Sequence, residues 1–295
     1  MKRGEFNLDI ATKVAEFESL LNKVLPRRIF YKLILYGKGL EFDGYRVFSS
    51  EEDASLIDWK ASARSTNLLA RQYVEERNMN VVFVFDIGEN MIFGSQEKLK
   101  CEYAAEMAAA FSHSVLNVND KVGFVLFNDN IERICYPLSG NKQFDVFVYN
   151  ISDPYAYQGV SDIGAIIDKL LEILGPSTSM VVLVSDFLRV NESQRKQFEK
   201  LGTLYETIAL MIRDPLDRTL PDINKEVIIE DYNNERLLIN PSVVKKTYEN
   251  MVEKQTKFVK DLFFSSQIDL LELDTSKDFA FDLAHFLAKR VGRRE

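Results

Sequence analysis

Residues 81–91 read VVFVFDIGENM, five apolar side chains in a row followed at once by an acid. A strand buried on both faces needs a near-continuous apolar run of this kind, and such strands belong to parallel sheets covered by helices. Asp86 falls where the strand would leave the sheet. It is either a ligand-binding group at the carboxyl end of the sheet or the polar cap of the next element, and the surrounding chain has to decide between them.

Downstream of this run, strand and helix patterns alternate. KVGFVLF, SMVVLVSD, YETIALMI and IDLLEL read as strands, with IERICYPL as a short edge strand or hairpin arm. Helical spacing is predicted over 98–116, 142–150, 162–174, 192–200, 243–264 and 279–291, with Ser161 as an N-cap. EVIIEDY and ERLLI read as a hairpin. Strands alternating with helices imply right-handed crossovers and a mostly parallel, doubly wound sheet with helices on both faces. The predicted fold class is therefore α/β.

Upstream, Ile10, Val14, Phe17, Leu21 and Val24 recur at helical spacing until Pro26 stops the pattern. Core packing is the simpler use of that apolar stripe. Gly37, Gly39 and Gly44 mark turns, Glu51–Asp53 an acidic, solvated loop, and Leu68–Val74 a strand able to pair with its successor. These features divide the chain into residues 1–78, an N-terminal helix with a small β-rich extension, and residues 79–295, the α/β domain.

The chain has 295 residues, 46% of them hydrophobic and 28% charged, with a formal net charge of -8. An acidic balance argues against binding nucleic acid through phosphate neutralisation. Cys101 and Cys135 are the only cysteines and form no CxxC pair, which argues against a disulfide scaffold or thiolate zinc site and fits a reducing compartment. No apolar run reaches the length needed to cross a bilayer, so a cytoplasmic location is expected.

Ligands of open parallel sheets bind beyond the carboxyl ends of the strands, near the switch in strand order. FDIGEN, GVSDIG and LVSDFL would bring Asp86, Glu89, Asn90, Ser161, Asp162, Ser185 and Asp186 to that rim. Oxygen donors of this type suit magnesium, calcium or manganese. The alternative is that Asp86 and Asp186 only accept hydrogen bonds from loop amides. A second constellation is IDWKASAR, where Asp58, Trp59, Lys60 and Arg64 place a carboxylate, an indole and two cations within seven residues. It reads either as a recognition surface, since Trp and Arg are favoured interface anchors, or as an internal clamp with Trp59 in the core and Asp58 paired to Arg64.

The stretch IDWKASARSTNLLARQYVEERNMNVVFVFDIGENMIFG (57–94) resembles the signature of the domain-of-unknown-function 58 family, proteins with a von Willebrand factor A-like domain. GKGLEFDGYRVF, KVGFVLFND, SDFL and IRDPLDRTLPD are similar in the same order. The resemblance implies a sheet with a metal-ion-dependent adhesion site at its top. Carried over, Asp86 matches that site's first Asp, Ser161 stands where its Thr would be, and Asp186 matches its last Asp. Gly88 and Asn90 replace the two serines, so the ligand set reduces to Asp86, Asn90, Ser161 and Asp186. Such a degenerate site is expected to bind Mg2+ or Mn2+ weakly at most.

The resemblance also implies association with MoxR-type AAA+ ATPases, as an adaptor or substrate-recognition partner. The chain has no GxxxxGK[ST] loop, so nucleotide hydrolysis would belong to that partner. A non-catalytic protein-interaction module is thus expected, with Asp58, Trp59 and Arg64 as partner-binding residues. The other function class is a metal-dependent phosphohydrolase or nuclease built on the acidic rim. A two-metal site needs more bridging carboxylates than Asp86, Glu89 and Asp186 supply. A dinucleotide-binding domain fails because no GxGxxG follows Phe85.

Overall fold

The computed structural model describes residues 4–24, 40–49, 57–75, 79–230 and 236–292. Pro26, Gly37, Gly39 and Glu51–Asp53 lie outside them. Among the described residues the order is α1 (Ile10–Val24), β1 (Leu40–Val47), α2 (Trp59–Ser62), β2 (Leu69–Glu75), β3 (Asn80–Asp86), α3 (Lys100–Asn117), β4 (Lys121–Phe127), β5 (Ile131–Leu138), α4 (Asn141–Ile151), α5 (Ile163–Ile173), β6 (Met180–Ser185), α6 (Arg195–Leu204), β7 (Glu206–Arg213), β8 (Val227–Glu230), β9 (Arg236–Ile239), α7 (Pro241–Ser265), β10 (Asp269–Asp274) and α8 (Phe279–Gly292).

The apolar run 81–85 lies in β3, in the middle of a six-stranded sheet. Its strand order is β10-β7-β6-β3-β4-β5, all parallel except β5, which runs antiparallel along β4. The doubly wound α/β sheet expected from the sequence is therefore present, with IERICYPL as its antiparallel edge. Phe83 sits opposite Phe124 on β4 and Val182 on β6. Because side chains alternate along a strand, Val81, Phe83 and Phe85 enter one core with residues of α1, α3, α4 and α8. Val82 enters the other core, with residues of α5, α6 and α7. Both faces are covered, which is why the run needs no polar position.

Helix α3 is buried along almost its whole length, and its alanines at 104, 105 and 108–110 let it lie close to the sheet. Its two buried glutamates face the N-terminal segment and are satisfied there. Glu102 accepts the Asn7 backbone N–H and Glu106 that of Asp9, each at 2.6 Å. Phe17 and Leu21 of α1 join the same core as Phe83. Helix α1 thus packs on the α/β body, although the sequence grouped it with the β-rich extension. The apolar stripe had no partner visible in its own neighbourhood because that partner lies about 90 residues further on.

The extension itself is the antiparallel pair β1–β2. The sequence suggested that the 68–74 strand pairs with its successor. It pairs with its predecessor instead, while β3 takes β4 and β6 as neighbours. A strand with both faces and both edges committed to a parallel sheet leaves no edge for a hairpin partner. Strands β8 and β9 form the expected hairpin. No helix among the described residues is long and apolar enough to cross a membrane.

Phe83 makes an edge-on contact with Phe111 and a tilted one with Phe147, at centroid distances of 5.5 and 5.2 Å. Phe83→Ala is expected to cost about 3–5 kcal/mol, read from urea unfolding; a loss below ~1 kcal/mol would mean that this aromatic cluster is not the core. At the opposite end of the strand, burial pushes the Asp120 carboxyl up to about 7, only partly opposed by the Met79 N–H it accepts at 2.8 Å. Its folded value lies above its ordinary 3.8, so the fold favours the protonated form. That stabilisation is complete at low pH and is lost as pH rises through about 7. Asp120→Asn should therefore gain stability relative to wild type as pH rises across this window, measured by thermal melts at several pH values. A constant difference between the two proteins would disprove the assignment.

Candidate functional site

The switch in strand order falls between β3 and β6, whose carboxyl ends carry Asp86 and Ser185–Asp186. Asp86 is fully buried and accepts four hydrogen bonds. Gly88 N–H donates to its Oδ1 at 2.8 Å, while Ser161 Oγ, Ser185 Oγ and Asn90 Nδ2 donate to its Oδ2 at 2.7, 2.6 and 3.3 Å. Burial, followed by the charge of Asp186, pushes its pKa up to about 6 against the pull of these donors. The loops supplying the donors are latched together by main-chain bonds, Glu89 N to Gly159 O and Gln158 N to Ile87 O.

Asn90, on the short 3-10 turn Glu89–Met91, also donates to Asp186 Oδ2 at 3.0 Å and so bridges the two acids. Asp186 further accepts from Leu188 N–H at 3.1 Å and from the ammonium of Lys100 at 2.9 Å. Lys100 reaches Asp217 Oδ2 as well, at 3.1 Å. Burial works against the charge on Lys100, but the two acids outweigh it and raise its pKa, and Lys100 in turn holds Asp186 below its ordinary value although burial opposes this. Arg213, buried at the end of β7, adds positive charge near Asp186 and Asp217, and its guanidinium makes no hydrogen bond to any described residue.

The four residues predicted as metal ligands, Asp86, Asn90, Ser161 and Asp186, are thus brought together, but as they stand they do not fit a divalent ion. Every carboxylate oxygen of Asp86 and Asp186 accepts a protein donor, and Asn90 presents its NH2 to the acids and not its oxygen. Position 88 has no room for the missing hydroxyl. A Cβ there would lie 2.3 Å from Asn90 Oδ1 and 2.8 Å from Ser161 N, so a serine cannot be restored without moving backbone. Ser161 does not cap α5. Asp162 does so, accepting the Ala165 N–H, which leaves the Ser161 hydroxyl for Asp86. Beside the acids lies a cavity of about 130 Å³ lined by Asn90, Ser161, Ile163, Ser185 and Phe187 among others. Phe187 has φ 52°, left-handed backbone that costs a non-glycine residue about 1–3 kcal/mol and gathers at functional sites.

Lys100 and Asp217 were not among the residues singled out from the sequence. A lysine at the first position of a helix opposes the helix dipole, and that misplacement is the signal that could have drawn attention to it. Ser185 was placed at the rim but outside the ligand set, and it makes the shortest bond to Asp86.

The second constellation is well separated in character. Trp59 is 66% exposed, so it is not a core residue, and Arg64 is exposed without an ion pair to Asp58. Asp58 is the N-cap of α2, accepting from the N–H groups of Lys60 and Ala61 at 3.0 and 3.1 Å, and its Oδ2 accepts from Tyr45 OH at 3.3 Å. The internal clamp is overturned. Asp58 fixes the turn, and the turn presents Trp59.

Residues 44–258 match the family described as "Protein of unknown function DUF58". The chain belongs to that family. Uncharacterized proteins of Mycobacterium tuberculosis and Mycobacterium bovis are 24% identical to it over 264 residues, covering 87% of this chain and 81% of theirs. Among solved structures, the conserved hypothetical protein BatB from Bacteroides thetaiotaomicron superposes with a TM-score of 0.47 at 13% identity, over 73% of this chain and 99% of that one. The SpRpn10 VWA domain gives 0.39 at 11% identity, over 70% and 94%. In this member of the DUF58 family both acids at the rim of the sheet are fully engaged by protein donors, while the buried Asn90 Oδ1 beside them has no partner among the described residues.

Asp86→Ala would leave the buried donors of Gly88, Ser161 and Ser185 without their acceptor, and a loss of at least about 3 kcal/mol is expected in urea unfolding. Gly88→Ala should cost about 1–3 kcal/mol through the close approach of Ser161. If either variant unfolded like wild type, the rim would not be the tight network described.

Proposed function

We propose that this chain is a non-catalytic protein-interaction module that binds its partner through the α2 surface. The exposure of Trp59 carries this reading. The chain's only tryptophan stands out of the surface on a turn fixed by Asp58, with Tyr45 49% exposed beside that cap and Arg64 on the same turn. A large rigid side chain presented this way contributes contact area at little entropic cost, and Trp and Arg dominate interface energetics. The closed rim favours interaction over hydrolysis, because carboxylates committed to protein donors offer no free base for a water.

The partner class we propose is a MoxR-type AAA+ ATPase, for which the chain would act as adaptor or substrate-recognition subunit. The family resemblance supports this; the sequence has no GxxxxGK[ST] motif, so nucleotide hydrolysis would fall to the partner. Titrating the purified ATPase from the same organism against the wild type, in ATP and in ADP, tests the pairing. Trp59→Ala and Arg64→Glu should each weaken binding by about 2 kcal/mol while thermal stability stays within ~0.5 kcal/mol of wild type, as expected for surface positions. Unchanged binding by both variants would exclude this surface, and no binding by the wild type in either nucleotide would exclude the partner.

A further inference from the structure

Lys100 is the only lysine buried among the described residues, at 1% exposure, and it occupies the first position of α3, where the helix dipole disfavours a cation. Its ammonium has three donors and no acceptor. Two oxygens of different acids receive it, Asp186 Oδ2 at 2.9 Å and Asp217 Oδ2 at 3.1 Å, and the Phe93 ring centroid lies 5.4 Å away. Neither acid is there by accident of a flexible side chain. Asp217 is oriented by the Asp214 N–H at 2.9 Å, and Asp214 in turn accepts the Ser95 N–H and hydroxyl at 2.8 and 2.6 Å. Asp214 and Asp217 lie in the segment DPLD (214–217) that follows β7, Asp186 follows β6, and Ser95 and Lys100 follow β3, so the cage is assembled across the sheet.

A divalent ion at such a rim brings positive charge among carboxylates and needs several oxygen donors aimed at one point. Here no three Asp, Glu, His or Cys side chains among the described residues form such a group. The oxygens of Asp86 and Asp186 already accept from Gly88, Ser161, Ser185, Asn90, Leu188 and Lys100. We infer that Lys100 supplies from within the chain the positive charge that a divalent ion would otherwise bring, so that the rim's carboxylates are balanced without a metal. An internal cation cannot be exchanged or removed by chelation, and it leaves no open coordination position for an incoming carboxylate. The site becomes a fixed structural feature instead of a metal-dependent one.

The test is calorimetric titration and thermal melting of the full chain with manganese and magnesium against EDTA. The wild type should give no saturable heat and the same melting temperature with either ion as in EDTA. Lys100→Met removes the charge and keeps the apolar stem, so it should melt lower in EDTA, recover on adding manganese, and bind that ion at least tenfold more tightly than wild type. Lys100→Met combined with Asp186→Asn should lose the ion response. If Lys100→Met does not fold in EDTA, refolding yield with and without manganese reads the same quantity, and yield should rise with the ion. Saturable manganese binding by the wild type that disappears in Asp186→Asn would overturn the inference. So would a Lys100→Met protein whose stability and refolding are indifferent to both ions.

Discussion

A single buried carboxylate ties the top of the sheet together. Asp86 ends β3, and its four donors come from the turn that follows it, from the loop before α5 and from the end of β6. A carboxylate in a low-dielectric interior is tolerable only when its lone pairs are filled, and an unfilled one costs several kcal/mol. The three segments are therefore constrained to converge wherever Asp86 lies. The latching of the 87–89 and 158–159 backbones, the left-handed Phe187 and the tight fit at Gly88 are consistent with that convergence. Replacing the network by apolar side chains would remove the constraint along with the charge.

Charge balance around this point is layered. Asp86 carries no cation and is satisfied by neutral donors, which is why burial and Asp186 together raise its pKa. Asp186 sits between the neutral layer and Lys100, shared through Asn90 on one side and the ammonium on the other. Asp217 completes the far side of the ammonium. Each step outward from Asp86 exchanges dipoles for full charges, and the arrangement is coherent because a buried ion pair stands only when its remaining lone pairs and protons are also engaged. The Lys100 ammonium meets that condition by bridging two acids, each of which is separately fixed by main-chain N–H groups.

The fold was legible in the sequence wherever periodicity and burial agree. The run 81–85 announced a central parallel strand because both its faces are core, and the apolar stripe from Ile10 to Val24 announced an amphipathic helix there. What the stripe packs against was not legible, since α3 reads as a helix from its own pattern and gives no hint that its outer face is covered too. The pairing of the 69–75 strand was misread for a similar reason: sequence adjacency suggested β3, but the demands of a parallel sheet excluded it. At the rim, the positions of Asp86, Asn90, Ser161 and Asp186 followed from strand ends, a local property. Lys100 and Asp217 did not, because their meeting depends on how far a helix start and a loop after β7 project over the sheet, a distance no spacing along the chain encodes. For Trp59 the sequence left a recognition surface and a core clamp both open, because residue type alone does not fix exposure; the turn capped by Asp58 carries it in solvent.

The two constellations bear on each other through the kind of contact they permit. A rim with an open metal would engage a partner by taking its carboxylate, a strong and narrowly directed bond. A rim closed by Lys100 cannot do this, and what its neighbourhood leaves exposed is the apolar-lined cavity beside Phe187. Recognition then falls to side chains that keep their reach outside the network. Trp59 and Arg64 have that property because the cap at Asp58 fixes their backbone while their side chains remain solvated. A rigid turn carrying a solvated indole loses little conformational entropy on docking. On the proposed reading, a rim whose carboxylates are all engaged leaves recognition to a separate turn, the one that Asp58 caps and that holds Trp59 in solvent.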